Sequence, residues 1–233
     1  MRRGYEAWYL VVAGRFWIRS TVVGGETALW LVSFAGTRSA RKETAPRAGP
    51  GELTSGRIAG ARWELSLEPL ASPADPVPWL LRPLSKTRFV LSAPALLVSG
   101  FVEVDGVRHE LEHAPGHQGH VCGSRHADRF GWAHASHADG RWVDLLVARG
   151  LGLANGKLSL RGKNAPGRLE AGRFTVEAAR ETFVGVTYDD PDGTPLYCYH
   201  SERGRLRGPG FQTDEAALEY ASRARVPGWP VAL

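Results

Sequence analysis

The sequence predicts an all-β chain, folded as antiparallel barrels or sandwiches in two abutting β units. Three observations carry this. Apolar and polar residues alternate with period two along most of the 233 residues, which on a pleated strand sends one set of side chains to each face. The alternating runs are rich in β-branched and aromatic residues, which fit a pleated, half-buried surface. Turn signals separate them at short intervals, among them Asp105-Gly106, Asp139-Gly140 and Asp192-Gly193, each the two-residue mark of a tight hairpin.

YEAWYLVV (5–12), RFWIRSTVV (15–23) and TALWLVSFA (27–35) open the chain as a meander, broken at Ala13-Gly14 and Gly24-Gly25. Residues 44–57, rich in Pro, Gly, Ala and Thr, predict a loop. ARWELSLEP (61–69) places Trp63, Leu65 and Leu67 on one face and Arg62, Glu64, Ser66 and Glu68 on the other. Pro69, Pro73, Pro76, Pro78 and Pro83 exclude a regular strand or a long helix over 69–87. That tract is expected to wrap the sheet or cover an opening. LLVSGFVEV (96–104) and VRHELEHA (107–114) form a hairpin about Asp105-Gly106. FGWAHASH (130–137) and RWVDLLVAR (141–149) form another about Asp139-Gly140. Shorter strands follow: KLSL, GRLEA, RFTVEAAR, FVGVTYDD and PLYCYHSE. A helix is expected near 213–224, with Thr213 as N-cap, Asp214 and Glu215 at the positive end of its dipole, and Pro227-Gly228 beyond it. About fifteen strands of ordinary length exceed one eight-stranded barrel. The break is expected where RGLGLANG (149–156) interrupts the pattern, giving an N-terminal unit over 1–150 and a shorter C-terminal unit over 157–233.

Composition narrows the function classes. The net charge of +5 comes from arginines scattered along the whole length, with no RNP, helix-turn-helix or zinc-finger pattern, so no nucleic-acid partner is expected. Attraction to an anionic lipid surface, as a peripheral membrane contact, stays open. Cys122 and Cys198 make no disulfide framework and suit a reduced compartment. No apolar run reaches the roughly 18–20 residues of a membrane helix, and Glu6 interrupts the basic N-terminal stretch before it resembles a signal peptide. A cytoplasmic location follows. There is no GxGxxG after a strand, no GxxxxGKS/T and no GxSxG elbow, so no cofactor is expected. His109, His113, His117 and His120 have helix-like spacing, but Pro115-Gly116 breaks any helix that would align them, and no HExxH or CxxC occurs; no metal is expected.

The densest chemistry lies in PGHQGHVCGSRHADRFGWAHA (115–135), with His117, His120, His126 and His134. Buried imidazoles each need a polar partner, so their crowding points to a site. His120 and Cys122 are two apart and share a strand face, as do Phe130, Trp132 and His134. His126, Asp128 and Arg129 suit either a charge network at a pocket edge or a solvated loop with a salt bridge. Glu6 and Arg19, on the first two strands, suit a diagonal cross-strand pair.

Taken together, YEAWYL, FWIRST, ALWLVSF, PLSKTRFVLSAP and GHQGHVCGSRHADRFGWAHA resemble, over roughly the first 150 residues, the lipocalin-like family of tocopherol cyclase and carotenoid 1,2-hydratase. Where the hydratase branch has His-Xaa-Trp-Gly, this chain has His120-Val121-Cys122-Gly123. The resemblance implies paired lipocalin-like barrels enclosing an apolar cavity. It also implies metal-free proton chemistry on a polyene, prenylated or polyketide-like substrate. On this basis His120 is the expected acid–base or orienting residue and Asp144 a second acid. Trp17, Cys122, Phe130, Trp132 and His134 are expected to line the cavity, with His117 and His126 at its mouth. A binding protein for a lipophilic small molecule, without turnover, is the rival expectation.

Overall fold

Two antiparallel sheets hold the eighteen strands assigned among the described residues. The structure, a computed structural model, describes residues 5–23, 25–35, 39–84, 87–123, 129–148, 151–155, 157–159, 162–165, 168–178, 184–189 and 195–222. The sheets belong to two compact units, taken here in turn.

The first sheet contains β1 (Tyr5–Val12), β2 (Phe16–Val23), β3 (Glu26–Ser33), β4 (Ser39–Thr44), β5 (Ser55–Ile58), β6 (Ala61–Pro69), β7 (Thr87–Val104) and β8 (Val107–Gly123), in the order β4-β3-β2-β1-β8-β7-β6-β5. Every neighbour is consecutive in sequence except β1 and β8, which pair from Tyr5 opposite Gly123 to Val12 opposite Gly116. The sheet's two free edges are therefore β4 and β5, and side chains clip them together. The Ala59 N–H donates to Glu43 Oε2 at 2.7 Å, while Arg41 donates to the Ala59 carbonyl and pairs with Asp105. At the β7–β8 hairpin both Asp105 (φ 51°) and Gly106 (φ 78°) are left-handed, the type I′ geometry whose twist matches that of the strands.

Residues 44–57 are not all loop. A single helical turn, α1 (Gly51–Thr54), precedes β5 and drives Leu53, fully buried, into the core. Trp63 braces it, donating Nε1–H to the Glu52 carbonyl at 3.0 Å. Leu10, Val12, Phe16, Ile18, Leu29 and Leu31 pack on the inner face with Trp63, Leu65, Leu96 and Val98. The opposite face of β1–β3 is buried too, through Tyr9, Val11, Trp17, Trp30 and Val32. Burial on both faces explains why these strands read as almost unbroken apolar runs.

The second sheet contains β9 (Arg129–Ser136), β10 (Trp142–Ala148), β11 (Leu151–Ala154), β12 (Lys157–Ser159), β13 (Lys163–Ala165), β14 (Arg168–Ala171), β15 (Phe174–Ala178), β16 (Val184–Asp189), β17 (Pro195–Gly208) and β18 (Phe211–Ser222). Their order is β12-β11-β10-β9-β18-β17-β15-β14-β13, with β16 also on β17. Ala133, Ala135, Val143, Leu145, Leu169, Val176, Leu206, Leu218 and Tyr220 form its core.

Two expectations change. The helix near 213–224 is strand β18, paired with β17 on one side and β9 on the other. Ala216, Leu218 and Tyr220 face the core while Ala217 and Glu219 face away, so this segment carries a period of two, and two flanking ladders outweigh its helix propensity. The chain changes sheets between Gly123 and Arg129, ahead of the expected break at 149–156, because β9 is claimed by β18. The Asp192-Gly193 turn lies outside the described residues. Among those described, no helix is long and apolar enough to cross a membrane.

Leu53 is the one core side chain contributed by α1. Leu53→Ala is expected to lower stability by about 2–5 kcal/mol, read from the urea midpoint, whereas a change below about 1 kcal/mol would contradict its role as a wedge.

Candidate functional site

β9 and β10 are joined by the Asp139-Gly140 turn, where the His137 N–H donates to the Arg141 carbonyl at 2.8 Å. Counting three residues back along each strand from that bond sets His134 across from Asp144. Both are on the face turned away from the Val143, Leu145 and Ala133 core, yet they are 0% and 1% exposed. An ionised carboxylate taken out of water costs several kcal/mol unless its lone pairs are occupied. Here Asp144 Oδ1 accepts from Trp132 Nε1–H at 2.8 Å and from His134 Nδ1–H at 3.0 Å. With its proton on Nδ1, a neutral imidazole carries its lone pair on Nε2, the atom that can take or give a proton. The Trp132 and His134 rings lie 6.1 Å apart.

The Asp144 main chain is held from its other side. Its N–H donates to Asn155 Oδ1 and its carbonyl accepts from the Asn155 N–H, both at 2.8 Å. Asn155 is left-handed (φ 47°), a conformation asparagine tolerates better than most residues. Glu219, opposite Trp132 on β18, adds a second buried carboxylate to the same face, and Phe130, also buried, completes the row. One imidazole and two carboxylates buried on a single sheet face is an arrangement that packing alone does not call for.

A second polar cluster belongs to the first unit. On β1, Glu6 and Trp8 continue the inner face of Leu10 and Val12, and they stand opposite Cys122 and His120 of β8. His120 Nε2 lies 2.8 Å from Glu6 Oε1, with the two side chains 28% and 42% exposed. The Trp8 ring stacks on the imidazole at 5.1 Å, nearly parallel. β7 brings Arg88 opposite Cys122. Burial first, and then the Glu6 carboxylate, push the Cys122 thiol above its ordinary range, with Arg88 opposing.

The structure thus distributes the expected site residues. Phe130, Trp132, His134 and Asp144 come together; His120 and Cys122 form the other cluster, so each of the two expected acids has its own partner. Trp17 and His117 both stand opposite Val11, which sets them on the sheet face away from His120. His117 meets the Tyr9 ring edge-on at 6.1 Å. Tyr9 in turn lies over Gly119, where a Cβ would come 2.2 Å from its hydroxyl. The expected Glu6–Arg19 pair does not form: Glu6 is opposite Val22 and Arg19 opposite Tyr9, on opposite faces, and Arg19 sits over the Trp17 ring instead. His126 lies outside the described residues. Glu6, Trp8 and Glu219 join these clusters through pairing between strands distant in sequence, which no local motif reveals, whereas Asn155 reaches Asp144 across the adjacent pair β10 and β11.

No family model matches the chain. An uncharacterized protein of Mycobacterium tuberculosis, in two strains, is 28% identical over 194 residues, a match taking in 69% of this chain and 58% of that protein. The chain therefore spans little more than half the length of these relatives. Among solved structures, CghA with Sch210972 superposes with a TM-score of 0.55 at 8% identity, over 96% of this chain and 89% of that one. Kievitone hydratase from Nectria haematococca gives 0.50 at 7% identity, over 94% and 88%. At such identities the likeness shows the fold, which is lipocalin-like and all-β.

A raised thiol pKa means little thiolate near neutral pH. In a Cys198→Ser background, Cys122 is expected to react with iodoacetamide at pH 7.5 at least about threefold more slowly than free cysteine, followed by mass spectrometry. Glu6→Gln should speed it only modestly, because burial is the larger cause; a rate matching free cysteine would contradict this environment.

Proposed function

We propose that this chain is a lipocalin-like protein that acts on an apolar small molecule of isoprenoid or polyketide-like type, catalysing cyclisation, hydration or isomerisation by proton transfer. The observation that carries the proposal is the buried Asp144–His134 pair with Trp132. Asp144 holds the ring in one tautomer and stabilises the imidazolium that forms when His134 takes a proton, the role a carboxylate plays behind any acid–base histidine. The faces of Trp132 and Phe130 offer π-density to a developing carbocation. A neighbouring fold crystallised with a small molecule, and another carrying a hydratase name, are consistent with chemistry of this kind.

Two further readings each have an observation behind them. Glu6–His120, stacked on Trp8 and partly open to water, could serve the same proton chemistry in the first unit. A carrier without turnover is favoured by Cys122, which stands where the hydratases of the resembling family have tryptophan.

Native mass spectrometry of protein purified from its own host tests the ligand class, the expected result being a bound apolar isoprenoid or polyketide-like molecule. With that molecule, His134→Gln and Asp144→Asn are expected to lower kcat by about 10²–10⁴-fold while binding persists. A comparable loss in His120→Gln alone would move the chemistry to the Glu6 pair. Binding without product in the wild type and every variant would establish the carrier instead.

A further inference from the structure

The face of the second sheet that carries His134 also carries an arginine that the proton chemistry does not use. Arg203 of β17 stands opposite Ala217 of β18, and Ala217 stands opposite His134 of β9. A row therefore runs Arg203, Ala217, His134, Asp144 across four strands. Gly204, the next residue, is on the core face, where a Cβ would come 2.5 Å from Val176, so Arg203 is on the His134 face. Its Nη2 lies 3.4 Å from Glu215 Oε1, at the outer limit of a hydrogen bond. Its Nε is buried and has no hydrogen-bond partner among the described residues. A buried donor left unpaired is costly, and folded proteins keep few of them. Ala217, buried between Arg203 and His134, contributes only a methyl group to the row, although β17 and β9 are two strand spacings, about 10 Å, apart.

We propose that Arg203 Nε–H donates to a carbonyl oxygen of the substrate, which makes the molecule that His134 acts on a polyketide-like carbonyl compound and not an isoprenoid hydrocarbon. The neighbouring charges select a neutral oxygen. Asp144 is in the row, Glu219 is on the same face opposite Trp132, and Glu215 reaches Arg203 itself, so a carboxylate or phosphate would meet three like charges. A carbonyl oxygen is neutral on arrival and turns negative only as the proton leaves, when a preset cationic donor helps most. In that step the C–H bond beside the carbonyl breaks and its proton goes to His134 Nε2. The bond's electron pair forms a carbon–carbon double bond, and the carbonyl π pair moves onto the oxygen held by Arg203. The imidazolium then returns the proton to another carbon of the extended enolate, which restores the carbonyl and completes an isomerisation. This deepens the His134 reading, on which it rests, by naming the functional group the substrate must bear.

The test is titration of the full chain with two probes of one shape, 2-acetylnaphthalene and 2-isopropenylnaphthalene, which differ in a carbonyl oxygen against a methylene. Wild-type protein is expected to bind the ketone about tenfold or more tightly than the hydrocarbon, as a hydrogen bond from a charged donor allows. Arg203→Met keeps an unbranched side chain but no donor, and should bring the two affinities within about twofold of each other. Glu215→Gln breaks the ion pair and leaves Nε in place, so it should keep the preference; its loss there would assign the effect to the ion pair and overturn the proposal. Thermal unfolding curves show that each variant is folded. Equal binding of the two probes by wild type, binding of neither, or a preference that survives Arg203→Met also overturns it. The titration needs no turnover: its failure leaves His134 chemistry on a hydrocarbon standing, and an inert His134 leaves the ketone preference standing.

Discussion

A carboxylate sealed from water needs hydrogen-bond donors, and the local structure about Asp144 brings two of them to its Oδ1. The Asp139-Gly140 turn sets the register that puts His134 opposite it. Period-two geometry then brings Trp132 to the same face, where its indole N–H reaches the same oxygen. Asn155 fixes the backbone from the neighbouring strand, at a φ that few residues other than glycine accept. Removing any one donor would strand a buried charge, which is far more destabilising than never having built the pair.

The same alternation organises the first unit. On β1, even-numbered residues run from Glu6 and Trp8 into the apolar core at Leu10 and Val12, while Tyr9 and Val11 supply the other face. One strand therefore serves three purposes: a packed interior, a buried second face, and a polar cluster at one end where Glu6 meets His120. Leu53 of α1 is among the core residues.

Much of this was legible in the residues. YEAWYLVV and ARWELSLEP begin and end where β1 and β6 do, because alternation and turn chemistry are local properties. The pairing of Phe130, Trp132 and His134 on one face follows from spacing alone. What the residues could not disclose depends on partners far away in the chain. The segment around ALEYAS satisfies helix and strand patterns alike, and only β17 and β9 decide between them. Glu6 finds His120 across 114 residues, and the change of sheets before Arg129 is settled by β18. Trp17 lies on the sheet face away from His120, which sequence parity could not disclose: it tells which residues share a face, but not which face is the interior when both are apolar.

We propose that the buried network is kept for chemistry and not for stability. Its most direct test is equilibrium urea unfolding of the triple variant Trp132→Phe, His134→Leu, Asp144→Val, which replaces the network with apolar groups in one step. A network retained for function should be replaceable at little cost, so the triple variant should unfold within about 1 kcal/mol of wild type, or be more stable. A loss of about 3 kcal/mol or more would mean that these hydrogen bonds hold the sheet together, and would contradict the account.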